Sequence, residues 1–308
     1  EGTQTLAGIS KNSFTYSLNE NTDPADYHIT CVEGTLTVTN RNAKYAIEIE
    51  AESGTFTYDG NEHTVNGLKN TRFSVNNHIY TISGAAAQAS GTHAGTYKVM
   101  VTGDPVVYDA DGNDVSEQFA ITAKEGQLRI EKRKVMLVSG SSNRIYNGKP
   151  LTNHEVEVLS EGFAVNEGAS YNFTGSRTLA GISENTFHYQ FLEGTLESDY
   201  DVTVYYGSLT ITNRPEDALY EIHVKAAGES VLYDGSLHEV QGLYDGTGTV
   251  TDNGMPLTWE VDGNTYTLEG LSAYASGTDA GSYVVNILGT PVVRDEDGND
   301  VTSQFIID

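Results

Sequence analysis

The sequence predicts an all-β protein, and three observations carry that expectation. Apolar and polar residues alternate at period two through much of the chain, and glycines and Asx-Gly pairs punctuate the alternating runs. Long stretches also recur at fixed offsets. Residues 2–41 reappear at 175–214, a shift of 173 (175 − 2) without a gap, with 21 of the 40 positions identical. A second block, 45–119, reappears at 220–305. Repetition at this scale means several similar units rather than one large fold. The expected architecture is therefore a tandem array of immunoglobulin-like β-sandwich modules forming an elongated rod. Modules with β-grasp-like mixed sheets are the alternative.

Each module opens on a strand that runs into a tight turn. Ile47, Ile49 and Ala51 alternate with Glu48 and Glu50, and Ile222, Val224 and Ala226 alternate with His223 and Lys225. The turns Tyr58-Asp59-Gly60, Tyr146-Asn147-Gly148 and Tyr233-Asp234-Gly235 follow at spacings of 88 and 87 residues (146 − 58, 233 − 146). Asx-Gly supplies the positive φ such turns need. Interior strands are marked by Phe14, Tyr16 and Leu18, by Tyr97, Val99 and Val101, and by Tyr283, Val285 and Ile287. Modules close on glycine followed by polar–apolar alternation: 34–39, 126–131 and 207–212. No window carries a helical apolar stripe beyond one turn.

Boundaries follow from this register. A partial module, the C-terminal half of one type, covers 1–43. Type B spans 44–132, type A spans 133–218, and a second type B spans 219–308 without a counterpart of its last strand, where an unpaired edge is expected. The chain thus reads as a fragment that starts and stops inside modules. The junctions Asn40-Arg41-Asn42, Lys132-Arg133 and Asn213-Arg214-Pro215 hold no Gly/Ser linker, which favours a stiff array.

Composition narrows the partners. The formal charge is −26, from 43 acidic and 17 basic residues, and such a surface repels nucleic acid and anionic membrane. Neither nucleic-acid binding nor membrane insertion is expected, and a monomeric rod is. The single cysteine, Cys31, forms no disulfide within the chain and stands opposite Val204 in the repeat (31 + 173), which predicts a small buried hydrophobe.

Several constellations invite a chemical reading. Residues 90–97 match 276–283, and the glycine-led Tyr97 and Tyr283 predict a tyrosine corner, whose hydroxyl ties back to backbone. Asp109-Ala110-Asp111-Gly112-Asn113-Asp114 and Asp295-Glu296-Asp297-Gly298-Asn299-Asp300 offer oxygen ligands around a glycine, so a calcium loop and a plain hairpin turn are both open. The only tryptophan, Trp259, replaces Phe73 at an offset of 186 and is expected in the core. The 11 extra residues of the second copy (186 − 175) fall within 244–256, a polar, glycine-rich surface loop suited to copy-specific binding. His63 matches His238, but His93 faces Asp279 and His28 faces Asp201, so no histidine–carboxylate cluster is expected. Lys134 and Lys225 lie on early strands but do not recur at aligned positions, against an internal Lys–Asn crosslink. No catalytic, cofactor-binding or metal-ligating residue is assigned, and no cofactor is expected.

The Tyr-Asp-Gly starts, the Asp-Ala-Gly-Ser-Tyr corner, the Asp-Gly-Asn-Asp-Val segments and the Gly-Thr-Leu-Thr-Val-Thr ends occur in a constant order. As an ordered set they resemble the tandem YDG/MBG-type repeats of Gram-positive bacterial cell-surface adhesin-like proteins. That resemblance implies an extracellular array, anchored to the cell wall through parts outside this sequence, that presents something away from the wall. It carries no catalytic residue. The expected role is a stalk or spacer of a bacterial surface adhesin. A module that binds a host glycan, mucin or immunoglobulin is the alternative.

Overall fold

A computed structural model describes residues 2–308. The protein is all-β: among the described residues the elements are strands and five three-residue 3-10 turns. Among the described residues, no helix is long and apolar enough to cross a membrane. Contacts gather the chain into two units. One holds the chain to Arg133 with Phe163–Asn166 and Leu196–Asp201, and the other holds Lys134–Gly162, Glu167–Thr195 and Val202–Asp308.

In the first unit, the two long strands His78–Gly91 and Gly95–Tyr108 pair antiparallel and organise the sheet around them. The closing strand Gly126–Glu131 runs antiparallel to Gly95–Tyr108 and parallel to Gly54–Thr57. His63–Asn66 and Arg72–Val75 both line the far edge of His78–Gly91. A second, parallel pair joins Tyr45–Glu50 to Phe119–Lys124. The sheets are therefore mixed. Alternation along a strand reports which face is wet, not the direction of its neighbour.

The long strands bend at a bulge where register shifts between Ser83 and Ala85. Gly84 and Gly103 face each other there with φ 78° and 88°. A Cβ on Gly84 would collide with the Asp104 carbonyl, and one on Gly103 with the Gly84 carbonyl. Gly270 and Gly289 repeat the device in the second unit, with φ 84° and 120°. Only glycine fits both demands. Ile49, Ile82, Val107 and Phe119 fill one core of this unit, with Phe73 and Tyr80 packed against it.

The second unit repeats much of this plan in residues 219–308. Asn264–Gly277 pairs antiparallel with His238–Gln241, Leu257–Val261 and Asn286–Arg294, while Tyr220–Ile222 runs parallel to Phe305–Ile307. In residues 133–218, Ser208–Thr212 lies between Ser142–Ile145 (parallel) and Gly181–Glu184 (antiparallel). One core joins these segments: Tyr146, Leu209 and Ile211 pack with Ile222, Tyr266, Leu268 and Phe305. A polar knot sits beside it. Buried Asn185 donates from Nδ2 to the Gly140 and Asn153 carbonyls at 2.9 Å each, and Ser139 Oγ donates to the Asn185 carbonyl at 2.6 Å.

Cys31 corrects the sequence expectation, because it is exposed. Its repeat counterpart lies in Tyr200–Tyr205, beside Arg133–Ser139. Among the described residues of 1–43, Gly8–Asn12 pairs with Gly34–Val38 and residues 27–33, which include Cys31, form no strand. Phe14, Tyr16, Tyr27 and Val32 are exposed as well.

Candidate functional site

Two segments that follow a closing strand share one set of polar contacts. Two joints repeat one arrangement. After a closing strand, Asn40 and Arg41 are gripped by Gln118: its Oε1 accepts from the Arg41 N–H at 3.1 Å, and its Nε2 donates to Asn40 Oδ1 at 2.6 Å. Gln304 grips Arg214 and Asn213 in the same way, at 3.0 and 2.6 Å. The guanidinium of Arg41 lies 4.1 Å from the Tyr45 ring centre, and that of Arg214 lies 3.8 Å from Tyr220. A cation over an aromatic face adds attraction and also fixes the chain direction. Both glutamines end a 3-10 turn, Ser116–Gln118 and Thr302–Gln304.

The third such turn, Glu197–Asp199, carries aspartate instead. The Asp199 carboxylate is fully buried; it accepts from the Ala94 N–H at 2.7 Å and pairs with His93 Nδ1 at 2.8 Å. All three groups belong to the first unit. The Tyr58 ring stacks on His93 at 6.3 Å and meets Tyr200 edge-on at 5.5 Å. Tyr200 Oη in turn accepts from the Ala164 N–H at 2.9 Å, and Arg133 Nη1 reaches the Tyr58 carbonyl at 3.4 Å. Buried carboxylates persist when paired and hydrogen-bonded in this way. His93 and Asp199 lie 106 residues apart, so no local motif announces this pair. A His–Asp pair could orient a base, but among the described residues the hydrogen-bond partner of the His93 ring is Asp199 and no hydroxyl or thiol reaches that ring.

The corner tyrosines behave as expected. Tyr97 Oη donates to the His93 carbonyl at 2.9 Å, and Tyr283 Oη to that of Asp279 at 3.1 Å. A Cβ on Gly91 or Gly277 would enter the respective ring, which explains the glycine that leads each motif.

The acidic loops are satisfied from within. Asp109 Oδ1 accepts from the Asp111 and Asn113 N–H groups, and Asn113 Nδ2 reaches both carboxylate oxygens. Asp295 and Asn299 repeat the pattern. Asn113's amide, followed by backbone N–H groups, holds Asp109 below the usual carboxylate range. Among the described residues, no group of three or more His, Cys, Asp or Glu converges as a metal site would require. The module-start turns are built similarly. Asp59 and Asp234 cap the N–H groups of Asn61 and Ser236 and pair with His63 and His238 at 3.0 and 2.9 Å.

The copy-specific loop is folded. Leu243–Tyr244 pairs with Val250–Thr251 and with Lys225–Ala226, and Asp245 caps the turn by accepting from Thr247 and Thr249. Asn253 exchanges two hydrogen bonds with the buried Ala273 backbone, at 2.9 and 2.8 Å. Trp259 is half-buried and packs against the core beside Tyr266, its cross-strand partner. Lys225 sits 5.3 Å from the Tyr244 ring.

Two grooves remain. One of about 400 Å³ is lined by residues of 228–240 and 275–285. The other, about 270 Å³, lies among Leu6, Arg41, Tyr45, Tyr80 and Phe119. The first groove is lined by His238 as well as Ser230, Ser276 and Ser282, and the His238 ring is hydrogen-bonded to Asp234.

No family model matches the chain, and no curated protein does. Among solved structures, it is similar to the endo-fucoidan hydrolase MfFcnA4 from glycoside hydrolase family 107. The TM-score is 0.18 at 11% identity, covering 82% of this chain and 43% of that one. A score this low carries no argument about fold or activity.

Proposed function

We propose that the chain is an extracellular structural repeat region, a stalk or spacer of a bacterial surface adhesin, with immunoglobulin-like sandwich modules set end to end. The observation that carries this reading is the repeated joint. Asn40-Arg41 with Gln118 and Asn213-Arg214 with Gln304 use the same residues, bonds and cation–aromatic contact at two places. A tether of flexible beads needs no such joint, whereas a protein whose purpose is reach does. The reading assigns no catalytic residue and no cofactor. Small-angle scattering tests it. A compact chain of this length has a radius of gyration of about 19 Å; a stalk requires a value larger by about half or more, and a compact result overturns the proposal.

A second reading, a module for a host glycan, mucin or immunoglobulin, is favoured by the folded 244–256 hairpin. The Asn253–Ala273 bonds hold a copy-specific surface in a defined shape, and preorganised loops bind at lower entropic cost. Replacing 245–255 by a short turn should abolish binding in a host-ligand screen. Unchanged binding would remove this surface.

A further inference from the structure

The chain holds three Asn-Gly pairs: Asn66-Gly67, Asn147-Gly148 and Asn253-Gly254. In such a pair the glycine nitrogen can attack the asparagine carboxamide, because no Cβ hinders the approach. Whether it does depends on what already holds the two groups. At Asn66 the nucleophile is engaged. The Gly67 N–H donates to the Ala87 carbonyl at 2.8 Å, continuing the pairing of His63–Asn66 along His78–Gly91. At Asn253 the carboxamide is engaged instead. Its Nδ2 donates to the Ala273 carbonyl at 2.9 Å, and its Oδ1 accepts from the Ala273 N–H at 2.8 Å. Swinging it onto Gly254 breaks both bonds at a residue that is itself buried.

Asn147 is held differently. The Lys149 N–H donates to Asn147 Oδ1 at 3.1 Å. An oxygen held by the residue two positions ahead folds the carboxamide back over the nitrogen between them, that of Gly148. Gly148 lies outside the strands, and among the described residues its N–H meets no backbone carbonyl. The Lys149 N–H also points at the oxygen on which negative charge gathers when Cγ becomes tetrahedral, the arrangement that stabilises an oxyanion. The surroundings fix the turn in this shape. Asn264 Nδ2 donates to the Asn147 carbonyl at 3.0 Å, and a Cβ on Gly148, whose φ is 74°, would collide with the Tyr266 hydroxyl. Asn147 and Gly148 are only half-buried, so the pair stays open to water.

We infer that Asn147 is a self-modification site, converted to aspartate by deamidation. The Gly148 nitrogen bonds to Asn147 Cγ and gives up its proton, the Cγ–Nδ2 bond breaks, and Nδ2 leaves with that proton as ammonia. A water molecule then opens the cyclic imide. Opening at Cγ gives aspartate on an ordinary backbone, and opening at the main-chain carbonyl gives an isoaspartyl link; neither step needs an oxidant or reductant. The other two module-start turns already carry the first product. Asp59 and Asp234 stand where Asn147 stands, and each accepts from the N–H two residues on, as Asn147 does. Aspartate at 147 therefore fits the turn and adds one negative charge beside Lys149. The isoaspartyl link lengthens the backbone by a methylene and moves the carbonyl that Asn264 holds. This inference does not depend on the stalk reading, since it concerns the covalent chemistry of one turn.

The test incubates the full 308-residue chain in mildly alkaline buffer, with a parallel sample in denaturant. Peptide mapping by mass spectrometry follows Asn66, Asn147 and Asn253 separately and resolves aspartyl from isoaspartyl products. Dividing each folded rate by its denatured one removes the effect of local sequence. That ratio should be at least about tenfold larger at Asn147 than at either other site, a difference that two hydrogen bonds of ordinary strength suffice to produce. A ratio at Asn147 no larger than at Asn66 or Asn253 overturns the inference, and so does conversion of Asn147 in denaturant alone. Two variants complete the test. Asn147→Gln should abolish conversion at this position and leave the other two rates unchanged. Asn147→Asp should keep the denaturant midpoint of the unmodified chain; a lowered midpoint would show that the product does not fit the turn.

Discussion

Tyr58 and Tyr233 open the same Tyr-Asp-Gly turn in two copies of one module, yet Tyr58 is 3% exposed and Tyr233 is 69% exposed. The turns themselves match. Gly60 and Gly235 have φ 84° and 76°, and Asp59 and Asp234 make the same cap and the same histidine pair. What differs is the surroundings. In the first copy, Gly126–Glu131 completes the sheet, and residues 163–166 and 196–201 lie in the same unit, bringing Tyr200 and Asp199 onto the corner. Turn chemistry is thus local, while burial of the turn's aromatic residue is contributed by neighbouring chain. A module of this kind is not finished by its own motifs.

The most damaging way to break the comparison is to make the first copy resemble the second. Leu128→Ala removes a fully buried side chain from the closing strand and should cost about 2–5 kcal/mol. Denaturant unfolding measures the loss, and hydrogen exchange should show 54–57 and Tyr58 opening first. If those segments stay protected, burial of the corner does not depend on the closing strand.

Asp199→Ala comes next. It leaves the Ala94 N–H and His93 without their acceptor and should cost about 1.5–3 kcal/mol, the range for a hydrogen bond to a charged group. Asp199→Asn retains an oxygen for the Ala94 N–H and should recover part of that. Asp26 is the repeat counterpart of Asp199 (26 + 173) but is exposed, so Asp26→Ala should change stability by no more than about 0.5 kcal/mol. Equal effects at the two positions would show that the aspartate serves its turn and not the corner.

The all-β class, the Asx-Gly turns and the corner tyrosines were legible because each rests on chemistry within a few residues. Tyr97 finds a carbonyl only four positions back. The parallel partners of Gly54–Thr57 and Tyr45–Glu50 were not legible, since alternation says nothing of direction. Nor was the exposure of Cys31, for which the alignment with Val204 predicts burial, because repeat alignment transfers sequence but not neighbours. The His93–Asp199 pair had one visible trace. The residue before Phe119 and Phe305 is glutamine, while that before Tyr200 is aspartate. The copy that carries His93 precedes the module with Asp199. Comparing the third residue of each short turn with the corner of the preceding module would have found it.

The glutamine joints allow a finer comparison. Gln304 is buried whereas Gln118 is half-exposed, although their bonds are alike. Gln304→Ala should therefore cost about 1–2 kcal/mol and Gln118→Ala about 0.5–1 kcal/mol, because an unsatisfied partner costs more where water cannot replace the lost group. Denaturant midpoints at constant slope measure both. Equal costs would mean that the joint is solvated at both places.

The smallest effect concerns protons at the turns. Hydroxyl donation from Ser236, then its backbone N–H and His238, hold Asp234 down to about 2 from the model-compound value of 3.8. The Asn61 N–H is the leading cause of a lowered Asp59. A depressed carboxylate contributes stability above its unfolded pKa and loses it as pH falls through the folded value. The Asp234 contribution is thus complete above about pH 4–5 and declines on acidification towards pH 2. Carboxyl carbon shifts followed by NMR should place the Asp234 midpoint near 2, and Ser236→Ala should move it upward. The turn is built from groups within four residues of Asp234, so a substitution outside the turn should leave this midpoint unchanged. A midpoint that moved with a distant substitution would show that the turn's electrostatics depend on its neighbours as much as the burial of its tyrosine does.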